Sequence, residues 1–307
     1  MPAEQMGKVM NILSASLGVN CGYCHEGTDF AKDSVGKKET GRRMLSMTLE
    51  LNQKYFDGEP EITCNTCHRG QARPSSALSL ERLNPIPQLS QPLTKTNTEE
   101  IWSRYVEALG GKARVDALKS RHVIAKRIEP NGKSEPEELW QTASNRSRML
   151  TQYGDIAVVE GFDGTQAWKR ANDRVIELKS DESEQIRKEV LLAFGSDPLS
   201  KYSELEYQRL DRILDRDVHV VDAGNKNLLP ERLYFDTQNG LLVRRIASVQ
   251  TAMGPFEYRV DYQDYKEFGG VMQPTQIRFA VPNMTWTRQV QTIETNLEFD
   301  QELFRKP

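Results

Sequence analysis

The chain lacks a large excess of either charge and any long apolar run. Its 307 residues include 41 basic and 44 acidic side chains, giving a net charge of -3. This balance predicts neither a basic surface for nucleic acid nor an acidic tail. Apolar residues make up 37%, and mean hydropathy is -0.64. Because 18 apolar residues never follow one another, we predict no transmembrane segment. We also expect no nucleic acid partner.

Cysteine is scarce, and all four cysteines belong to two copies of one motif. Cys-x-x-Cys-His occurs at Cys21, Cys24 and His25, and again at Cys64, Cys67 and His68. The motif is typical of covalent haem attachment, in which both thiols form thioethers and the histidine binds the iron. A redox disulfide needs no following histidine, and the 39 residues between the pairs are long for structural zinc, so both alternatives are weaker. We predict two covalently bound haem c groups.

The first residues of the chain are relevant to the cellular compartment of the protein. Covalent haem attachment takes place outside the bacterial cytoplasm, yet the first eight residues lack the charged start, apolar stretch and cleavage site of a signal peptide. We therefore expect a periplasmic or extracellular protein whose signal or anchor segment is absent from this chain.

Methionine lies upstream of each motif, on a predicted amphipathic helix. The first helix covers about residues 3–17 and the second about residues 37–55. A turn and a short helix that begins with the motif follow each one, so the region contains a weak internal repeat. The upstream methionines are Met6, Met10, Met44 and Met47.

These methionines are candidates for the sixth iron ligand. A thioether is a soft ligand that, paired with histidine, closes the sixth position and raises the reduction potential. The alternative is that each methionine fills the core of its helix pair. The two remaining histidines, His122 and His219, lie far along the chain in apparent strands. We therefore predict methionine at both irons.

The three segments that carry the motifs and the second helix resemble the cytochrome c subunit of photosynthetic reaction centres. They are Leu17 to His25, Gly41 to Thr48 with Asn52, and Ile62 to Gln71. The resemblance covers about the first 73 residues, and that family carries four haems where this chain has two motifs. Because similar dihaem modules occur in non-phototrophic bacteria, it implies electron transfer more firmly than photosynthesis.

The resemblance also implies a ligand set. In that family a methionine on the helix before each motif is the sixth ligand, so the iron ligands here would be Met10 with His25 and Met44 with His68. Met6 and Met47 would then be packing residues. Three arginines lie beside ligand positions: Arg42, Arg43 and Arg69. We predict that at least one of them binds haem propionates, the alternative being a solvated helix face.

The rest of the chain has a different composition. Residues 74–97 are rich in proline and predict a linker. In residues 98–307 we expect about ten short strands and two or three helices, with hairpin turns such as Asn239-Gly240. The predicted fold class is therefore α+β with two domains. A small α-helical dihaem cytochrome c module (1–73) precedes a large antiparallel, half-open β-barrel-like sheet with a few helices.

Four motifs stand out in the second region: Gly161 to Trp168, Tyr234 to Val243, Tyr265 to Pro274 and Asn296 to Pro307. They resemble the periplasmic lipoprotein-carrier or sorting-protein class, known as LolA-like. The resemblance implies a sheet over helices whose concave face can hold an acyl chain, so lipid is a predicted ligand. Trp168 and Trp286 either line such a cavity or belong to the core. No catalytic set of residues is evident.

Three functions follow from these observations. The leading one is an exported dihaem cytochrome that passes single electrons from a redox protein donor to an acceptor, with the β domain docking, anchoring or assembling it. A dihaem peroxidase-like oxidoreductase with one open haem site is the enzymatic alternative. The third is a lipid-binding or self-assembling protein, a homo-oligomer or polymer, in which the haems are accessory.

Overall fold

The structure is a computed structural model. It describes residues 5–27, 30–33, 36–74, 97–178, 180–198, 202–224, 231–251 and 254–307. The chain divides into two compact units. One comprises Met1–Gln91 with Gln250–Phe256 and Val281–Asn283, and the other Pro92–Val249, Glu257–Ala280 and Met284–Pro307. We refer to them as the helical unit and the sheet unit. Most of the predicted linker lies outside the described residues, so its boundaries stay predictions.

In the described part of the helical unit there are three α-helices. These are α1 (Met6–Leu17), α2 (Gly36–Tyr55) and α3 (Cys64–His68). Both long helices match the sequence prediction, and α1 ends at Gly18 in the left-handed conformation (φ 63°), as a glycine at this position indicates. The short helix predicted at the first motif is instead a single 3₁₀ turn, Cys21–Tyr23. The correction is small, because a 3₁₀ turn still brings the two cysteines of the motif together.

Helix α1 packs closely against the second motif. Its buried residues are Val9, Ile12 and Ser16, which lie on one face. The Gly70 amide, just after α3, donates a hydrogen bond of 2.8 Å to the Ser16 carbonyl. A Cβ atom at Gly18 would overlap the Gly70 carbonyl, so glycine is required for this approach as well as for the turn. The two motifs are thereby joined in one packed unit.

Among its described residues, the sheet unit has three further α-helices and thirteen strands. The helices are α4 (Thr98–Ala108), α5 (Lys112–Ala117) and α6 (Ser180–Ala193). The strands are β1 (Ser120–Ile128), β2 (Ser134–Thr142), β3 (Arg146–Tyr153), β4 (Ile156–Phe162), β5 (Ala167–Ala171), β6 (Arg174–Glu177), β7 (Glu204–Ile213), β8 (Arg216–Gly224), β9 (Glu231–Asp236), β10 (Leu242–Thr251), β11 (Gly254–Phe268), β12 (Val271–Val281) and β13 (Met284–Thr295).

All thirteen strands form one sheet. Its order is β6-β5-β4-β3-β2-β1-β13-β12-β11-β10-β9-β8-β7, which is two antiparallel meanders joined where β1 pairs with β13. The prediction of a small helical part and a large antiparallel sheet is confirmed. The sheet is open, in line with the predicted half-open form, because β6 and β7 form its edges and do not pair with each other. The chain passes from one edge strand to the other through α6.

Helix α4 packs on the sheet through an apolar face. Ile101, Trp102 and Tyr105 are buried on it against Leu233 and Phe235 of β9. Burial of these large side chains provides much of the hydrophobic stabilisation of the sheet unit. The Asn97 side chain accepts a hydrogen bond of 3.0 Å from the Glu99 amide and so caps the helix.

Trp168 belongs to the core of the sheet unit. Neither Trp168 nor Trp286 lines the apolar cavity that lies between α4, α6 and the sheet. Trp168 is fully buried against Gly161, where a Cβ atom would overlap the indole ring. Its indole N–H donates to the Phe304 carbonyl at 3.2 Å. Trp286 stacks on Phe279 with 5.1 Å between ring centroids. For Trp168 the core alternative of the sequence prediction therefore holds.

Candidate functional site

The first motif sits on a turn that folds back against the end of α1. The Val19 amide donates to the Ser14 carbonyl at 3.1 Å, and the Ser14 hydroxyl donates to the Val19 carbonyl. The amides of Cys24 and His25 then both donate to the Cys21 carbonyl, at 3.2 and 3.0 Å. One tight turn thus brings together the two thiols and the histidine that follows them.

The second motif forms a capped helical turn. Thr63 and Thr66 make a capping box in which each side chain meets the other residue's backbone. Cys64 and Cys67 are three residues apart in this turn, and His68 ends it. Both motifs therefore present two cysteines and one histidine within about one helical turn, the arrangement that thioether attachment with an adjacent iron ligand requires.

The His68 ring is oriented by a backbone group. Its Nδ1 lies 2.9 Å from the Gln71 carbonyl oxygen. A carbonyl can only accept, so Nδ1 carries the proton and Nε2 keeps the lone pair that a metal ligand needs. His25 differs, because its Nδ1 is buried and pairs with no described residue. The equivalent position three residues on, Thr28, is outside the described residues.

Helix α2 is tied to the second motif by one buried side chain. Asn52 is only 4% exposed. It donates to the Ile62 carbonyl and accepts from the Ile62 amide, each at 2.8 Å. Met44, Thr48 and Asn52 follow one another at intervals of four residues, so they lie on one face of α2. Thr48 donates its hydroxyl to the Met44 carbonyl at 2.9 Å. This face therefore meets the segment that leads into Cys64.

The upstream methionines lie at the surface of the helical unit. The exposed fractions of Met6, Met10, Met44 and Met47 are 42, 36, 40 and 44%. None of the four is therefore buried in the core of the helical unit. An exposed methionine side chain can pack on the apolar face of a haem, and its thioether sulfur is a soft donor for the iron.

The three predicted propionate ligands differ in their present contacts. Arg42 holds Asp33 with two hydrogen bonds of 2.7 and 2.8 Å, and this bond to Arg42 lowers the pKa of the Asp33 carboxyl. Arg43 and Arg69 are exposed, and neither forms an ion pair with a described residue. Arg69 adopts the left-handed conformation directly after the second motif (φ 49°).

None of the four cysteines forms a disulfide bond. Burial raises the pKa of the Cys64 thiol. Within the described ranges, no group of three or more histidine, cysteine, aspartate and glutamate side chains is arranged to hold a metal ion. None of the helices in those ranges combines the length and apolar composition that crossing a bilayer requires.

The other two histidines make contacts within the sheet. His122 Nε2 lies 3.1 Å from a carboxylate oxygen of Glu138, and its ring stacks on Trp140 at 4.9 Å. His219 packs edge-on to Tyr207 at 5.9 Å, and burial lowers its pKa.

The sheet unit contains a second candidate site, a cavity of about 140 Å³. Helices α4 and α6 contribute to its wall together with strands from the middle of the sheet. Most of the lining is apolar, with residues such as Val123, Leu139, Ile277, Val290 and Ile293. Charged and amide side chains line the remainder. An apolar cavity with a few polar groups is the usual form of a small-molecule site. In the sequence, such a cavity was indicated only by the resemblance of this region to the lipoprotein-carrier class.

The helical unit holds both Cys-x-x-Cys-His motifs in compact turns, and comparison with known proteins shows what this part of the chain is similar to. Residues 21–107 match the family model of the photosynthetic reaction centre cytochrome C subunit. The predicted resemblance of this module is therefore confirmed. The match supports covalently bound haem c.

Individual relatives cover the same part of the chain. Cytochrome c-554 of Chloroflexus aurantiacus is 28% identical over 82 residues, which are 25% of this chain and 20% of that protein. The reaction center cytochrome c subunit of Rubrivivax gelatinosus is 36% identical over 73 residues, or 23% of this chain and 19% of that one. The chain thus spans about a fifth of the length of these relatives.

Solved structures resemble the sheet unit. A domain assigned to the outer membrane lipoprotein-sorting proteins, from Vibrio parahaemolyticus, has a TM-score of 0.47 at 13% identity, covering 68% of this chain and 97% of that one. A LolA superfamily protein of Nitrosomonas europaea has a TM-score of 0.47 at 12% identity, covering 69% and 98%. They are of the class that the sequence motifs of this region predicted.

Proposed function

We propose that the protein is an exported dihaem c-type cytochrome that transfers single electrons between redox proteins in the periplasm or outside the cell. The observation that carries the proposal is the pair of Cys-x-x-Cys-His turns within one packed helical unit. In the second turn, the bond from His68 to Gln71 leaves Nε2 as the iron-binding nitrogen. When bound, haem c supplies one-electron chemistry, and the protein sets its potential and access.

We further propose that Met10 and Met44 are the sixth ligands. All four upstream methionines are exposed, and the resemblance assigns the ligand role to Met10 and Met44 among them. For Met44, support also comes from its place on the face of α2 that Asn52 ties to the second motif. A thioether at the sixth position would exclude small ligands and favour the reduced state. This ligation favours an electron carrier over a peroxidase with an open site.

Arg43 and Arg69 are the stronger candidates for propionate binding. Both are exposed and lie beside a proposed ligand, whereas Arg42 is already engaged by Asp33. A guanidinium group can donate two parallel hydrogen bonds to one carboxylate and compensate its charge.

Haem content and ligation can be tested on the full-length protein matured in a host that attaches haem c. We expect two haems per chain in a pyridine haemochrome assay. Met10→Ala and Met44→Ala should each remove half of the sulfur-to-iron absorption band in the red and lower the potential of one haem. Met6→Ala and Met47→Ala are matched controls of equal exposure on the same helices. A band of undiminished intensity in either ligand variant would contradict the assignment of that methionine, and carbon monoxide binding to the reduced native protein would favour the peroxidase alternative.

A second proposed role belongs to the sheet unit, which we infer binds an apolar ligand in its cavity. The supporting observation is the largely apolar wall of that cavity. Mass spectrometry of organic extracts of the purified protein should detect a stoichiometric apolar compound, and a protein without one that also binds no added amphiphile would contradict this role.

A further inference from the structure

The charged side chains around the cavity are paired, with one exception. Arg288 contacts Glu137. Glu160 pairs with Lys169 at 2.5 Å, and Glu189 with Arg245 at 3.4 Å. Arg121 also lines the cavity, but no carboxylate of the described residues forms an ion pair with it. The cavity wall therefore carries one positive charge without a counter-ion.

Arg121 is held by two neutral groups. Its Nε donates to Gln141 Oε1 and its Nη1 to Gln273 Oε1, both at 2.7 Å. A guanidinium group has five N–H donors, so three remain after these two bonds. Burial lowers the pKa of Arg121 to about 10, with the charge of Arg288 as the second cause. The group is still protonated at neutral pH, and because its side chain is half-buried an anion that pairs with it would be stabilising.

Gln273 provides a second donor without a partner. It is 3% exposed and lines the same cavity. Because a guanidinium group can only donate, the amide oxygen of Gln273 must face Arg121. The orientation of the amide is thereby determined, and Nε2 is buried with no hydrogen-bond partner. Unsatisfied donors of this kind are rare in folded proteins and usually indicate a missing acceptor.

These observations place hydrogen-bond donors and an apolar wall in one cavity. The donors are the remaining N–H groups of Arg121 and Nε2 of Gln273. The apolar part of the wall consists of aliphatic side chains from β1, β2, β12 and β13. The cavity volume of about 140 Å³ is close to that of an engineered protein cavity that takes a benzene molecule, about 150 Å³. A ligand of matching chemistry is singly charged, apolar and small.

We propose that the cavity binds an apolar monocarboxylate with a body of about six to eight carbon atoms, the length that matches a benzene-sized cavity. The carboxylate pairs with Arg121 and accepts from Gln273 Nε2, and the hydrocarbon lies against the aliphatic wall. One negative charge balances the one unpaired cation, and a guanidinium fork fits the two oxygens of a carboxylate. This inference rests on the apolar-ligand role proposed for the sheet unit and adds the chemical class of the ligand.

Isothermal titration of the full-length holoprotein with octanoate, hexanoate and 1-octanol tests the proposal. Octanoate should bind at least tenfold more tightly than octanol, which has a similar body but no charge. Hexanoate should bind more weakly than octanoate, by about fourfold for each methylene lost. Arg121→Met should reduce the preference for octanoate over octanol to less than twofold.

Gln273→Glu is the most specific variant, because it places a carboxylate from the protein itself beside Arg121. This variant should lose octanoate binding, keep octanol binding and melt at a higher temperature than the native protein. Arg127→Met is the matched control. It removes the same charge from the same face of β1, about 20 Å farther along the strand, and should leave octanoate binding unchanged.

Three results would overturn the proposal in distinguishable ways. Equal binding of octanoate and octanol, unaffected by Arg121→Met, would refute recognition of a carboxylate but leave the apolar-ligand role intact. Binding of neither compound would refute both. Unchanged octanoate binding by Gln273→Glu would also refute the placement of the carboxylate.

Discussion

Asn52 gives the sharpest prediction for the helical unit, because one side chain joins α2 to the second motif. We consider Asn52→Ala, which removes both hydrogen bonds to Ile62 and leaves the helix backbone intact. The substitution removes the link between the face of α2 that contains Met44 and the segment that precedes Cys64. Alanine is a strong helix former, so α2 itself should persist.

The size of the effect follows from the two bonds. A hydrogen bond contributes about 0.5–1.5 kcal/mol net, so the loss of two should cost about 1–3 kcal/mol. Ile62 is half-buried, and water can replace part of what its backbone groups lose, so we expect about 2 kcal/mol. For a unit of this size, each kcal/mol lowers the melting temperature by about 4–8 °C.

The assay is guanidinium denaturation of the holoprotein, followed by the Soret band and by the sulfur-to-iron band. Asn52→Ala should lower the midpoint of both transitions. The sulfur-to-iron band should be lost first, because the part of α2 that carries Met44 is no longer tied to the second motif. Gln53→Ala is the control, since Gln53 is exposed and its substitution should change stability by less than about 0.5 kcal/mol. Equal midpoints for the two variants would refute the role assigned to Asn52.

Two further predictions concern close packing and a buried ion pair. Gly18→Ala should destabilise the helical unit by more than about 1 kcal/mol in a thermal melt, because Gly18 has a positive φ and a Cβ atom there would overlap Gly70. Gly7→Ala is the control. Gly7 has open space around it, so this substitution should leave the melting temperature unchanged or raise it. Glu231 is buried with two hydrogen bonds of 2.9 Å from Arg245, so Glu231→Gln should cost about 3–5 kcal/mol in urea denaturation, whereas the exposed Glu206→Gln should cost almost nothing. Although burial opposes it, Arg245 lowers the pKa of Glu231; the pair therefore stabilises the fold above the ordinary glutamate pKa, and this contribution is lost as the pH falls through the lower folded-state value. A stability profile of the Glu231→Gln variant that parallels the native one between neutral and acidic pH would contradict this reasoning.

Some of the helical unit was predictable because its signals are local. The left-handed end of α1 at Gly18 and the compact turns of both motifs follow from residue types only a few positions apart. The orientation of His68 by Gln71 is also local, three residues along the chain. The hydrogen bonds between Asn52 and Ile62 were not predicted, although the spacing of eight residues between Met44 and Asn52 places both on one helix face. Its partner Ile62 lies ten residues further on, beyond the reach of a helical period.

The sheet unit shows the same division. Alternating apolar residues and the Asn239-Gly240 turn predict strands and a hairpin, and β9 and β10 form that hairpin. The same patterns do not say whether the outer strands close into a barrel, and the sheet is open because its edge strands β6 and β7 do not pair. Closure depends on twist, register and the path of α6, which are properties of the whole sheet.

The sequence by itself determined the covalent chemistry, because attachment to haem depends on cysteines and a histidine within five consecutive positions. Only the tertiary structure placed Arg121 beside Gln273, 152 residues away, and left one donor of that glutamine without an acceptor. Charge compensation inside a cavity is decided by which strands become neighbours, here β1 and β12 on either side of β13. Local sequence patterns carry no information on such pairings, since the same strands would show the same alternation in any order.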